Sequence, residues 1–579
     1  MIRNSLRSAC ALAALTAPLL AQSTIRLTAG LGGAEPNGAS SEPSTSRDGR
    51  FVVFASDANN LVANDTSTTP DVFVYDRGTG FLELVSVRIG PGAASNTMNP
   101  TVSNDGNLIC FESSAANLVP GDDPVSDIFL RDRTAGTTTR LTAGWNGNST
   151  QPAMTPDGRY VAFTSAGENV VPSGTSLDIF RLDRQTGQFV LVSLTSAGGF
   201  GNLDSFTARL SDDGRYVAFG SRATNFGPAD SNGVQDVFVR DTVALTTRRA
   251  SLGEFSNQLL LQSLLGSLSA DGTLICFDSA DGNVTSGDTD MQDDVFVRNH
   301  VVSSVVRAST PPSRLGGGGT SNGGRISSDG RWVLFRSTGA DLAPSDPTPG
   351  EADAYLKNLQ TGAVEIVSLA ADGTPRATQR GLALSDDARW IVFESSEAVV
   401  PGDAAGLNEI YLRDRGAPLY TTPCAGDGSS TPCPCGNPGS PGSGCENYAI
   451  GGGVRLSATG CASITNDTLR LSGNGFVSLP TPLGFVQGDA LLNGGQGVPF
   501  GDGVQCVGGS TLRFGRRNAL GGSVAFGAGV AGDAPVSIAG HVDTPGVTRY
   551  YQIAYFNFGS FCGQLRRNWS NSIAIVWGP

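Results

Sequence analysis

Hydrophobic positions along this chain come in short, nearly unbroken runs without helical spacing, and each run follows the same polar turn. Seven segments share one pattern: SRDGRFVVFAS from Ser46, SNDGNLICFES from Ser103, TPDGRYVAFTS from Thr155, SDDGRYVAFGS from Ser211, SADGTLICFDS from Ser269, SSDGRWVLFRS from Ser327 and SDDARWIVFES from Ser385. Their turn aspartates, Asp48, Asp105, Asp157, Asp213, Asp271, Asp329 and Asp387, stand 52 to 58 residues apart. Asp-Gly between apolar runs predicts a tight hairpin, because glycine accepts positive φ without a Cβ clash. Ala388 replaces that glycine in the seventh unit, which predicts a different or mildly strained turn there. A second run follows in every unit: DVFVYD from Asp71, DIFLRD from Asp127, DIFRLD from Asp178, DVFVRD from Asp236, DVFVRN from Asp294, DAYLKN from Asp353 and NEIYLRD from Asn408. A further short run, such as LELVSV after Phe81 or TTRLTAG after Thr137, closes most units.

Runs that are apolar throughout, instead of alternating, predict strands covered on both faces, as in small sheets stacked between neighbours. Two aromatic columns form the predicted core: Phe54, Phe111, Phe163, Phe219, Phe277, Phe335 and Phe393, then Phe73, Phe129, Phe180, Phe238, Phe296, Tyr355 and Tyr411. Cys110 and Cys276 share a register where other units carry residues such as Val53 and Ala162, so both read as small buried hydrophobes. The S-x-D-G-R-x-[VI]-x-F-x-S and D-[VI]-F-[VL]-x-D motifs resemble the TolB-like, WD40-like (PD40) β-propeller repeat over about residues 23–415. That resemblance implies four-stranded blades around a central channel. The seventh unit stops at YLRDRGAPLY without an outer strand, while Ser23 to Gly30 reads STIRLTAG, a copy of TTRLTAG in the second unit. The N-terminal strand is therefore predicted to complete the last blade, removing exposed edges and setting the count at seven.

Composition agrees with this fold. Charged residues make up 16% of the chain, with Gly 77 and Pro 31, a turn-rich β composition. Residues 1–21 read as a secretory signal peptide, with Arg3 and Arg7 before an apolar run from Ala9 to Leu20 and a small residue, Ala21, for cleavage. Export to the periplasm or the exterior is expected, and no later stretch approaches the roughly 18 apolar residues of a spanning helix. The net charge is −14, and from Pro418 onward eight Arg stand against seven acids, so the acidic excess lies in the repeats. Such a surface disfavours nucleic acid and suits cations or basic protein surfaces.

In this strand order the Asp-Gly turns share one face, and the long loops between the second and third strands share the other with the links to the next unit. Extra loop length marks a binding face, here for a protein or polysaccharide. The loops carry recurring acids: Asp65 and Asp71; Asp122 and Asp127; Asp230, Asn232 and Asp236; Asp288, Asp290 and Asp294. Hard oxygens at these spacings are candidate calcium (Ca2+) ligands, although the complete EF-hand pattern is missing. The same residue types also cap their own turns, and both readings fit a per-unit repeat.

Catalysis has little to draw on. Only His300 and His541 are present, which excludes multi-histidine metal sites and leaves a Ser-His-Asp triad hard to assemble. Gly319 to Gly323 matches G-x-S-x-G but lacks its strand-to-helix context. The expected function is an exported, non-catalytic binding scaffold, and calcium is its one candidate cofactor. The alternative is a carbohydrate-active enzyme using loop-face carboxylates. An enzyme predicts one asymmetric cluster of perturbed acids, and a scaffold predicts similar acids around the ring.

Beyond the repeats (residues 22–416), residues 417–447 form a Cys-, Pro- and Gly-rich stretch expected to be a linker stapled by disulfides among Cys424, Cys433, Cys435 and Cys445. Cys461, Cys506 and Cys562 bring this part of the chain to seven cysteines, an odd number that leaves the pairing open. Short strands between glycine turns over residues 448–579 predict a β-sandwich. PFGDGVQCVGG (Pro499 to Gly509) and NWSNSIAIVW (Asn568 to Trp577) resemble a terminal module of large secreted bacterial proteins.

Overall fold

The structure is a computed structural model. It describes residues 23–577 apart from 91–95, 171–176, 311–318, 417–420, 428–430, 440–442, 447–451, 558–565 and scattered single or paired positions. The leader expected at residues 1–21 lies outside the described residues. The chain divides into two compact units, one from Ala21 to Gly416 and the other holding Ala417 to Pro579.

The first unit is seven four-stranded antiparallel sheets. In the first, Ser40–Thr45, Phe51–Ser56, Asp71–Asp76 and Phe81–Leu84 follow in order, and five more repeat this plan. The last sheet holds Leu382–Leu384, Trp390–Ser395, Glu409–Asp414 and, as its outer strand, Ser23–Arg26. Ser23 pairs with Asp414 and Arg26 with Tyr411, so the chain's described start completes the last sheet. The first strand of each sheet packs against that of the next, and Leu382–Leu384 packs against Ser40–Thr45.

Packing explains the sequence pattern. All fourteen predicted rings are buried. Within each sheet the two stack across the strand pair, with centroids 5.6 to 6.0 Å apart. Full burial of such a side chain contributes about 1.5–3 kcal/mol relative to exposure. The Ser-x-Asp turn is a side-chain device: Ser46 Oγ donates to Asp48 Oδ1 at 2.7 Å, and Asp48 Oδ1 accepts from Arg50 N at 2.9 Å. Glycine follows the aspartate for two reasons. Gly214 has φ +67°, and a Cβ there would lie 2.3 Å from the Tyr160 ring of the preceding sheet. Ala388 keeps the same turn, with its N–H bonded to Ser385 O at 2.9 Å, by adopting φ +53°. Cys110 and Cys276 are buried free thiols.

In the second unit a sheet runs Thr421–Cys424, Ser572–Val576, Thr548–Phe556, Thr481–Gly488, Leu512–Ala519, with Arg567–Trp569 also paired to Thr548–Phe556. A second sheet holds Arg455–Thr459, Arg470–Asn474 and Ser523–Gly527. Leu456, Leu471 and Phe526 of the smaller sheet share one buried cluster with Phe485, Ile553 and Ile573 of the larger. The cysteine-rich stretch contributes a strand to the larger sheet and is stapled by Cys424–Cys506 and Cys433–Cys445. Cys435 is disulfide-bonded as well, while Cys461 and Cys562 lie outside the described residues. Among the described residues no helix is long and apolar enough to cross a membrane.

Candidate functional site

The loop acids take one arrangement in every sheet. The acid that opens the third strand accepts from a Ser or Thr hydroxyl two residues past the end of the fourth: Ser86 to Asp71 at 2.6 Å, Ser193 to Asp178 at 2.7 Å, Ser251 to Asp236 at 2.6 Å and Ser368 to Asp353 at 3.1 Å. Thr142 serves Asp127 and Ser309 serves Asp294 in the same way. In the seventh sheet the hydroxyl is that of Thr28, reaching Glu409 at 3.1 Å from the N-terminal strand. Each hydroxyl also accepts the N–H of the residue after that acid, at 3.0 to 3.4 Å. The acid thus ties two strands together at the loop end of the sheet.

A guanidinium stands among the candidate calcium ligands. Arg140 pairs with Asp127 at 2.5 Å, with Asp123 at 2.9 Å and with Asp122 at 3.5 Å. Arg249 pairs with Asp230 at 2.9 Å and Asp236 at 3.6 Å. Arg307 reaches Asp294 at 2.5 Å, Asp288 at 3.5 Å and Asp290 at 3.9 Å. Arg88 lies 3.3 Å from Asp71, and Asp65 accepts the N–H of Ser67 at 2.9 Å. Asn232 donates to Leu259 O at 2.9 Å and to Asp236 at 3.3 Å. In the seventh sheet Arg26 holds Asp403 at 2.9 Å and Glu409 at 3.5 Å.

Among the described residues, two acid groups bring their oxygens close enough to share a metal: Asp288, Asp290 and Asp294, and Glu35, Asp403 and Glu409. Each already contains an arginine as its positive charge. Burial pushes the Asp71, Asp127 and Asp236 carboxyls up, and raises Asp294 to about 7. Asp353, with Ile366 where Arg140, Arg249 and Arg307 stand in their sheets, is raised by burial to about 6.

A cavity of about 530 Å³ runs along the first strands of all seven sheets. These strands carry a register shift in the first six sheets, with left-handed backbone at Glu42, Asn99, Gln151 and Thr207. The shift exposes an N–H, and a side chain of the preceding sheet satisfies it in several units. Glu394 accepts Glu42 N at 2.6 Å, Glu42 accepts Asn99 N at 2.6 Å, Glu112 accepts Gln151 N at 2.5 Å and Asp278 accepts Gly323 N at 2.8 Å. Burial raises the proton affinity of Glu42, Glu112 and Glu394. At the Asp-Gly end Arg47 bridges the ring to Asp212, three sheets away, and to Asp386 at 3.0 Å. At the opposite end, where the long loops project, Leu264 and Arg380 are exposed.

The channel carboxylates were missed by sequence reasoning. Glu112, Asp278 and Glu394 occupy the middle position of F-x-S, which varies from unit to unit and so leaves no repeat signal. A buried charge at the end of a run covered on both faces was the available clue.

No protein-family model matches the chain, and no relative is found among curated proteins. Solved structures do resemble it. Oligogalacturonate lyase from Vibrio parahaemolyticus is 12% identical over 68% of this chain and 93% of its own, with a TM-score of 0.43. A putative TolB from Agrobacterium tumefaciens is 17% identical over 56% and 91%, with a TM-score of 0.32. The β-propeller domain of Cps50 (Swd1) from Myceliophteria thermophila is 10% identical over 68% and 100%, with a TM-score of 0.39. These neighbours include a putative TolB and a β-propeller domain.

Proposed function

We propose that the seven sheets are the blades of one closed propeller, followed by a β-sandwich, and that the chain is an exported binding scaffold that catalyses no reaction of its own. The observation that carries this reading is the commitment of the carboxylates. Loop acids sit in the same hydroxyl cage in every blade, and the channel acids accept backbone N–H groups of the next blade. A general acid or base needs a carboxyl free to exchange its proton with substrate, and these are occupied in tying strands within a blade or one blade to the next. The partner is a protein or glycan at the loop face. Large apolar side chains stand exposed there on the links before the fourth and fifth blades, Phe200, Phe255 and Leu260 among them, and Met291 joins them from the fifth blade's loop. Exposed apolar side chains on neighbouring links offer contact area to a partner.

A pull-down from the native envelope and a glycan array test the reading. The protein is expected to retain a partner that Phe255→Asp loses while melting at the wild-type temperature. Equal retention by the variant would move the binding face elsewhere. The loop acids are read as structural, with arginine in the place of calcium. Melting in Ca2+, Mg2+ and EDTA is therefore expected to coincide, and a rise specific to Ca2+ would restore the metal.

One observation favours the enzymatic alternative. Glu42 and Glu394 line the cavity with raised proton affinity, as glycoside-cleaving acids do. Product formation from any oligosaccharide, lost in Glu42→Gln with folding intact, would replace the scaffold reading.

A further inference from the structure

The first strands match position by position around the ring, and one position faces the cavity with small residues in most blades: Ser44, Thr101, Ala153, Ser267 and Ala383. In the fourth and sixth blades the same position carries Arg209 and Arg325. Five blades close the ring with Ser, Thr or Ala, so the fold does not demand arginine here.

Each guanidinium bonds a backbone carbonyl in place of a carboxylate. Arg209 donates to Ala208 O at 2.8 Å and Arg325 to Gly324 O at 3.2 Å, each a carbonyl of the neighbouring residue. Neither forms a salt bridge among the described residues, in contrast to the arginines of the loop cages. Asp278, the acid that acts on Arg325, has its carboxylate bonded to Gly323 N. Burial and the charge of Arg325 lower the proton affinity of Arg209 to about 10, and burial lowers that of Arg325. Both side chains are half-buried and line the cavity, so two cations that repel each other there gain from an anion that joins them.

We propose that Arg209 and Arg325 form an oxyanion site in the central channel, entered from the loop face, which holds a carboxylate or phosphate group of a small polar molecule or chain end. This rests on the binding reading above and supplies the chemistry of its ligand. A guanidinium presents its N–H groups as a fork that matches two oxygens of such a group. The acids of the cavity wall, Glu42 and Glu394, lie on the first and seventh blades, and each has an oxygen accepting a backbone N–H. About 530 Å³ is more than an inorganic ion fills and lies in the usual range for small-molecule pockets. The wall also presents hydroxyls and amides between its apolar residues, among them Ser41, Thr207, Asn99 and Gln151, partners for a polar ligand body.

The test uses the full mature chain with sodium citrate and sodium phosphate as probes, at constant ionic strength, read by calorimetric titration and by melting. At least one probe is expected to bind and to raise the wild-type melting temperature. Binding should weaken at least tenfold in the double variant Arg209→Gln, Arg325→Gln. It should be unchanged in Arg331→Gln, a residue whose side chain pairs with its own turn Asp329. Without probe the double variant should melt close to the wild type, because it loses the repulsion between the two guanidiniums together with the attraction between Arg325 and Asp278. Arg209→Lys and Arg325→Lys, which keep the charge and lose the fork, should fall between the two and serve if the double variant does not fold.

Citrate alone as ligand would assign carboxylate, phosphate alone would assign phosphate, and both would assign oxyanions in general. No binding by wild type, or equal binding by the double variant, overturns the site. If neither probe binds but the envelope partner is still retained, the scaffold reading survives and this site falls. If a carboxylated or phosphorylated ligand is bound and chemically converted, the site survives and the scaffold reading falls.

Discussion

At the scale of single residues, the commonest side chains of this protein act as ties between strands. The Ser or Thr column of the fourth strand was visible in the chain as the recurring LVS and LTAG, and the acids of DVFVYD were visible beside it. Their joining was not, because Asp71 and Ser86 meet through pairing and their spacing alone admits a metal ligand as readily as a tie. The arginine column left no signal in the chain, because Arg140, Arg249 and Arg307 meet the acids only through strand pairing. Asp353 offers the test, since its cage has no arginine and its carboxyl is raised to about 6. An acid whose folded-state proton affinity exceeds its unfolded value holds its proton longer in the folded state, so it takes stability away as pH rises from about 4 towards 6. Asp353→Asn keeps an acceptor for Ser368 and removes the titration. The variant is expected to match the wild type near pH 4 and to melt higher near pH 7. A wild-type melting temperature no higher at pH 5 than at pH 7, with Asp353→Asn unchanged at both, would contradict this.

At the scale of elements, the second and third strands announced themselves because burial on both faces leaves runs such as FVVF and ICF. The innermost strands gave no such signal. Ser40–Thr45 reads SSEPST and Ser149–Met154 reads STQPAM, polar and proline-containing, because they face a channel and carry a bulge where a missing N–H is tolerated. Turns were legible in type but not in their second duty. The glycine of Asp-Gly is also the contact point for the preceding sheet, which no single hairpin shows. Gly214→Ala should therefore cost more than the left-handed penalty of about 1–2 kcal/mol, since its Cβ would meet Tyr160 at 2.3 Å and overpacking adds about 1–3 kcal/mol. Ala388→Gly reverses only the first of these and gives back a buried methyl, so it should change stability by less than about 1 kcal/mol. Urea midpoints of the two variants measure the difference, and similar small shifts for both would show that the turn glycines are needed for φ alone.

At the scale of the whole repeat unit, everything depends on a strand that comes from the wrong end of the chain. Ser23–Arg26 covers the edge of Glu409–Asp414 and brings three side chains with it. Thr28 supplies the hydroxyl that Glu409 requires, Arg26 supplies the charge for Asp403 and Glu409, and Thr24 accepts from buried Arg413 at 3.2 Å. This closure was readable because STIRLTAG copies TTRLTAG, whereas the seventh unit alone would have suggested an incomplete repeat. Removing the strand leaves a long apolar edge with unpaired backbone groups, the usual template for association. It also leaves Glu409 and Arg413 buried with fewer partners. A chain starting at Leu31 is accordingly expected to melt lower and to form oligomers visible by light scattering. Thr28→Val isolates the hydroxyl: it strips Glu409 of its donor and Ile410 N of its acceptor, a loss of about 1–3 kcal/mol. If truncation leaves melting and monodispersity unchanged, the ring does not depend on its N-terminal strand, and the joint between first and last sheets must be held by the innermost strands alone.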